Sequence, residues 1–181
     1  MILPLLKSLD ILFEKQVITD LGSAEESSNF AQTLLPRLKT ELRGCKDPKK
    51  LVAILMVLGH LLVVTDTTRP PVLSTIMILL GHRFPRVRKA AAEQLYLRLL
   101  ELEDMMEGDN YDKVLETLST TVWDGEDLKR VREERDAVAR LLGLEPPTAS
   151  TVESTGGKEN KNRQKSDDLE SYASLVKEAG Y

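Results

Sequence analysis

The chain has 181 residues, of which 41% are hydrophobic, 30% charged and 4% aromatic, and its formal net charge is -4 at pH 7. This length holds one domain of ordinary size, and its aliphatic composition favours helices over strands. The negative net charge argues against nucleic acid as the main partner, because phosphate binding needs a dominant basic surface. A single cysteine, Cys45, excludes an internal disulfide and a cysteine-rich zinc site.

Apolar residues at helical spacing predict two helices in the N-terminal part of the chain, separated at Gly22-Ser23. The inner stripe of the first is formed by Leu6, Leu9 and Phe13. The inner stripe of the second is formed by every fourth residue, namely Phe30, Leu34, Leu38 and Leu42. Gly44 is the predicted C-cap of the second helix.

The third predicted helix is apolar nearly all round. It begins at the N-cap Asp47 with Pro48 at the first helical position, and it runs to Thr65. Its most apolar stretch, Leu51 to Val64, is too short to span a bilayer, so we expect a central core helix and no membrane span. A break over residues 67–71 then leads into a shorter apolar helix, Val72 to Leu80.

Three further helices are predicted in the remaining apolar pattern. The first runs from Arg86 to about Glu103, with an inner stripe of Val87, Ala91, Leu95, Leu99 and Leu102. The second runs from Asp109 to Val122, with an inner stripe of Leu115, Leu118 and Val122. The third stops at Gly143, with an inner stripe of Leu128, Val131, Val138 and Leu142. About seven helices joined by short loops leave two architectures, a closed bundle or an α-solenoid.

The segment from Arg83 to Leu95 favours the solenoid, because it resembles the second helix of a HEAT repeat. A proline opens the helix, a Val-Arg pair follows, and two small residues precede a leucine. Small residues let a paired helix lie close, and Val72 to Leu80 is the natural partner. We therefore expect an all-α, HEAT/armadillo-like α-solenoid fragment over residues 1–147.

The composition changes after Pro147. Residues 148–166 contain one large aliphatic side chain among polar ones, which predicts a disordered linker. Residues 167–181 predict a short amphipathic helix or tail, with Leu169, Tyr172 and Val176 on one face. A linker followed by such a helix is the layout of a docking peptide, and a frayed tail is the alternative.

Several segments resemble the C-terminal region of tubulin folding cofactor D, over roughly residues 1–147. They are the opening Leu3 to Asp10, the run from Gly81 to Lys89, the pair Trp123-Asp124, Val131 to Asp136, and Leu141 to Leu144. The tail from Thr148 matches no family pattern. Since the full-length family member is much larger than this chain, the resemblance implies a terminal piece or a truncated form.

The resemblance also implies a fold of HEAT-type repeats and a tubulin-specific chaperone function. Such a protein binds β-tubulin and works with tubulin cofactors C and E and an Arf-like small GTPase. Together they assemble and take apart the α/β-tubulin heterodimer and stimulate its GTP hydrolysis, in the cytoplasm with the microtubule cytoskeleton. The alternative function is a HEAT-type adaptor scaffold for trafficking or nuclear transport.

No catalytic, cofactor or metal site is predicted, so we expect a binding module and not an enzyme. His60 and His82 lack a metal-ligating partner at helical spacing, and Cys45 has no histidine near it in sequence. His60 is expected to be hydrogen-bonded inside the core. His82 follows a helix end, where a cationic ring would be favourable with the helix dipole.

The candidate partner-binding residues are Arg83, Arg86, Lys89 and Trp123. The three cations either meet an acidic protein surface such as that of tubulin or belong to a solvated helix face. For Arg88, between them, a solvated helix face with salt bridges between adjacent repeats is expected. Trp123 is either a partner anchor or a staple between the last two helices.

Overall fold

The computed structural model describes residues 2–20, 22–102 and 109–147, and every regular element in these ranges is a helix. The elements are α1 (Ile2–Glu14), α2 (Val17–Asp20), α3 (Ala24–Leu42), α4 (Pro48–Val64), α5 (Arg69–Leu80), α6 (Pro85–Glu101), α7 (Asp109–Thr120) and α8 (Leu128–Leu141). The predicted all-α class is confirmed, and α2 is the one short helix that the sequence did not predict. The predictions for residues 148–166 and for the segment with Leu169, Tyr172 and Val176 fall outside the described residues.

Helix α4 is the centre of the fold. It contacts α1, α3, α5 and α6, and an all-round apolar helix requires such covering on most sides. Most of its side chains from Leu51 to Leu62 are buried, including His60. This confirms the prediction of a central core helix. Its start is also as predicted, since a carboxylate oxygen of Asp47 accepts the Lys49 N–H at 2.9 Å and Pro48 follows at the first position.

Helices α5 and α6 form the predicted pair, and α6 also packs along α4. The inner stripe of α6 is confirmed at its four core positions, since Val87, Ala91, Leu95 and Leu99 have no exposed surface. Packing of each helix on the next, together with contacts between alternate helices, is consistent with an α-solenoid fragment.

The inner stripe predicted for α3 is wrong in part. The buried residues are Ser27, Ala31, Leu35 and Leu38. Phe30 is 39% exposed, and Leu34 and Leu42 are half-buried. The physical reason is the choice of face, because Ala31 and Leu35 lie about 100° around the helix from Phe30 and Leu34, and the packing of α3 on its neighbours buries the former pair.

Two predicted boundaries also differ from the structure. Helix α5 begins at Arg69, so the predicted break over residues 67–71 shrinks to the 3-10 turn Asp66–Thr68. Two prolines fit the first turn of α5 because the N–H groups there have no intrahelical partner. Helix α7 ends at Thr120, so Val122 lies in the following loop and is 70% exposed, not part of an inner stripe.

His60 lies in a polar network that joins three helices. Its Nε2 is 2.9 Å from a carboxylate oxygen of Asp10 on α1, and its Nδ1 is 3.2 Å from the Arg98 guanidinium on α6. The ring also stacks on Phe13 with 5.3 Å between centroids. Because a guanidinium only donates, Nδ1 must accept and Nε2–H must donate, which satisfies the neutral ring. The expected hydrogen-bonded core histidine is confirmed.

The free energy of unfolding is expected to fall as the pH is lowered from about 7.5 to about 5.5. Burial lowers the pKa of His60, partly opposed by its hydrogen bond to Asp10, and burial with two nearby arginines lowers the pKa of His82. Below the ordinary histidine pKa, these two residues therefore bind protons more readily in the unfolded chain than in the folded one. Protonation then favours the unfolded state, and the free energy of unfolding falls as the pH is lowered. Urea unfolding at both pH values measures the effect. The double substitution His60→Gln and His82→Gln should flatten it, and equal stability of the native chain at both pH values would contradict the assignment.

Candidate partner interface

The turn between α5 and α6 begins at Gly81, where a close approach by α8 requires a glycine. The Gly81 N–H donates to the Met77 carbonyl at 3.3 Å, which ends α5. A Cβ atom at this position would lie 2.5 Å from Nη1 and 3.1 Å from Cδ of Arg135 on α8. The Arg135 side chain is itself held, since its guanidinium pairs with Asp136 at 2.6 Å. Glycine therefore lets α8 pack beside the turn.

The rest of the turn is ordered by its own side chains. The Phe84 N–H donates to Nδ1 of His82 at 3.2 Å, and the guanidinium of Arg83 lies 4.7 Å from the centroid of the Phe84 ring. Burial and the neighbouring Arg83 and Arg88 charges lower the pKa of His82. The expectation of a cationic His82 that interacts with the helix dipole is therefore wrong, because the ring is partly desolvated, faces two cations and accepts a hydrogen bond at Nδ1.

Arg88 joins two loops that are distant in sequence. Its side chain is 2% exposed. It donates to the carbonyls of His82 and Arg83 at 3.0 and 3.1 Å, and to the carbonyl of Trp123 at 2.6 Å. A fourth bond runs to the carbonyl of Gly125. Burial lowers the pKa of Arg88, yet arginine keeps its charge in proteins.

The expected salt bridge of Arg88 is therefore wrong. Within the described residues its partners are carbonyl oxygens and no carboxylate lies within ion-pair distance. The planar guanidinium presents several N–H groups in a fixed fork, which suits a ring of carbonyls from two loops. The bonds hold the turn before α6 and the loop after α7 in one arrangement.

Arg83, Arg86 and Lys89 are all exposed around the start of α6. Lys89 lies 3.5 Å from Asp124 in a pair exposed on both sides, which contributes little. The first turn of α6 has no acidic residue, and cations at a helix N-terminus are disfavoured by the helix dipole. These three charges do not stabilise α6, and their side chains are exposed, so a partner protein can contact them.

A fourth exposed cation, Arg132 on α8, was not predicted from the sequence. Its Nε donates to the Gly81 carbonyl at 3.4 Å, and its charge is close enough to lower the pKa of Arg88. Spacing along the chain carries no signal for this neighbour, since only the packing of α8 on α5 brings it there. We call Arg83, Arg86, Lys89 and Arg132 the basic surface.

Trp123 is buried, although it belongs to the same groove as Lys89. It is 4% exposed, and its indole N–H donates to the Leu118 carbonyl at 2.9 Å. With its own carbonyl bound to Arg88, it packs the end of α7 against the following loop. These bonds join the loop to α7 and α6, so a staple between the last two helices stays a prediction, and burial leaves little indole surface for a partner anchor in this conformation.

The described residues do not build a metal centre. No group of three or more metal-binding side chains occurs there, and none of the described helices is long and apolar enough to cross a membrane. Cys45 is half-buried, with its sulfur 3.8 Å from the Asp47 carbonyl. The arrangement that the structure builds is a charged protein surface on ordered turns.

The N-terminal part of the chain is similar to a known protein family. Residues 1–50 match the family model described as tubulin folding cofactor D C terminal, which confirms the resemblance over α1, α2, α3 and the first residues of α4. No solved structure matches the chain. The basic surface lies outside the matched residues, so its role rests on its own geometry.

Proposed function

Because residues 1–50 match the tubulin folding cofactor D C-terminal family, we propose that the chain is a tubulin-specific chaperone that binds tubulin through its basic surface. The family match supports the chaperone role. The observation that supports the binding surface is a set of exposed cations on α6, α8 and the turn before α6, which the buried Arg88 holds in place. An ordered cationic surface fits an acidic protein such as tubulin, since complementary charge speeds association and orients the partner.

The proposal extends to the activity and partners that the family resemblance implies. The chain acts as a binding module and not as an enzyme, in the cytoplasm with the microtubule cytoskeleton. It contacts β-tubulin and works with cofactors C and E and an Arf-like small GTPase in assembly and disassembly of the tubulin heterodimer. In that setting it contributes to stimulation of GTP hydrolysis by tubulin. The second candidate function is a HEAT-type adaptor for trafficking or nuclear transport.

Reversal of Arg83, Arg86 and Lys89 to glutamate is expected to slow association with purified α/β-tubulin about tenfold at low salt. The salt dependence of the association rate should flatten as well, because the attraction that salt screens has been removed. Biolayer interferometry with immobilised tubulin at two salt concentrations measures both effects.

A matched control carries the same charge change elsewhere, at the exposed residues Lys113, Lys129 and Arg140. Far-UV circular dichroism verifies that both variants are folded. If both triple variants bind tubulin at the native rate, the three cations belong to a solvated face. If the native chain does not bind tubulin but binds importins or coat proteins, the adaptor function is supported and the chaperone function is contradicted.

A further inference from the structure

The basic surface is followed, along the outer face of α6, by exposed apolar residues. The exposed residues of this face recur at helical spacing along one stripe, formed by Arg86, Lys89, Glu93, Leu97 and Leu100. Leu97 and Leu100 are 52% and 40% exposed, while the opposite side of α6 is buried against α4 and α5. The stripe begins with cations and ends with leucines, over about 21 Å of helix.

A groove of about 390 Å³ runs beside the part of this stripe from Lys89 to Tyr96, between α6 and the end of α7 with the loop that follows. Its lining includes Val122, which at 70% is the most exposed large hydrophobic residue among those that the structure describes. Leu97 and Leu100 do not line this groove, and Asp124, which follows Val122 by two residues, pairs with Lys89. The groove therefore lies at the basic end of the stripe, where it can accept side chains, and the two leucines form the apolar end by themselves.

We infer that this face binds an amphipathic helix of a partner protein, with acidic residues at one end and apolar residues at the other. The acidic end lies on Arg86, Lys89 and the groove beside them, and the apolar end packs on Leu97 and Leu100. The inference deepens the proposed function and, for tubulin as the partner, rests on it.

Hydrogen bonding favours a helix as the occupant. The N–H and C=O groups in the middle of α6 are paired within that helix, so its outer face offers no backbone partner. An extended segment laid on it would leave its own backbone groups unpaired, whereas a helix satisfies them internally. Helices bound in this way use apolar anchors three or four residues apart, which matches the spacing of Leu97 and Leu100.

A second copy of this chain fits the face poorly. A two-fold pairing of α6 on itself would place Glu93 against its own copy and would place Arg86 opposite Leu100. Like charges would then meet at the centre, and each cation would be desolvated on a leucine. Charge complementarity instead selects a different partner that is acidic where α6 is basic.

The test uses the full chain and a labelled synthetic helix of about 18 residues, with glutamates on its first two turns and leucines on its last two turns along one face. Fluorescence anisotropy should show binding by the native chain, and replacement of Leu97 and Leu100 by serine should weaken it about tenfold. The control replaces Leu5 and Leu12 on α1, which are 57% and 39% exposed, and should stay within about twofold.

Three results would overturn the inference. One is equal binding of a peptide of the same composition with glutamate and leucine mixed around the helix. Another is no binding of the synthetic helix, or unchanged binding after the Leu97 and Leu100 replacement. The third is preferential, leucine-dependent binding of anionic lipid vesicles, which would assign the face to a membrane surface.

Purified tubulin in the same assay separates this inference from the proposed function. If the native chain binds the synthetic helix and not tubulin, the face stands and the tubulin assignment fails. If tubulin binds with no loss in the leucine variant and no competition from the helix, the chaperone assignment stands and this face is wrong.

Discussion

Replacement of Arg88 by methionine is expected to lower the free energy of unfolding by about 3–5 kcal/mol. Methionine keeps much of the length and packing of the side chain but donates no hydrogen bond. The carbonyls of His82, Arg83, Trp123 and Gly125 would lose their shared donor, and the two loops would lose their link. For a chain of this size the melting temperature should fall by about 10 °C. Urea unfolding and a thermal melt measure the two quantities.

The matched control is Arg86→Met, which removes an exposed arginine from the same helix and should change stability by less than about 0.5 kcal/mol. Arg88→Lys should fall between the two, because one ammonium group cannot reach carbonyls in both loops at once. A loss in Arg88→Met no larger than in Arg86→Met would show that the carbonyl ring contributes nothing to stability.

Substitution of Ala91 by aspartate is expected to abolish the folded state. Ala91 has no exposed surface and lies on the inner side of α6, where a carboxylate would be buried without a partner. Such a charge costs more than about 4–5 kcal/mol, which is comparable with the whole stability of a domain of this size. Far-UV circular dichroism should show lost helicity and no cooperative melt.

Two other variants bracket that result. Leu97→Asp places the same charge on the exposed side of α6 and should melt within a few degrees of the native chain. Ala91→Val adds two methyl groups without charge and should cost about 1–3 kcal/mol through overpacking. If the Ala91→Asp variant melts at the same temperature as the Leu97→Asp variant, the inner side of α6 is not buried at Ala91.

Helix positions were predictable where local signals agree. For α4 the capping aspartate, the proline at the first position and the continuous apolar run predicted both its start and its burial. For α6 the small and aliphatic residues at helical spacing predicted the inner stripe. The stripe of α3 was predicted less well, because apolar side chains lie on two adjacent faces of that helix and the neighbouring helices decide which face is buried.

The candidate interface was predictable only in part. The sequence indicated Arg83, Arg86 and Lys89 as exposed cations, and the structure leaves them exposed. It assigned Arg88 to salt bridges and did not show that Arg88 is buried while the other three are exposed. The residues next to Arg88 in sequence do not indicate that it binds carbonyl oxygens, since two of those carbonyls belong to the loop after α7.

The sequence by itself determined the helical class, most helix boundaries and the central place of α4, because caps, prolines and apolar periodicity act over one or two turns of the chain. Tertiary structure alone decided which charges are buried and which remain free. The ring around Arg88, the addition of Arg132 to the basic surface and the burial of Trp123 all depend on the packing of α7 and α8 beside α5 and α6. The electrostatics of a surface depend on distances across the fold, and those distances exist only once the helices have packed.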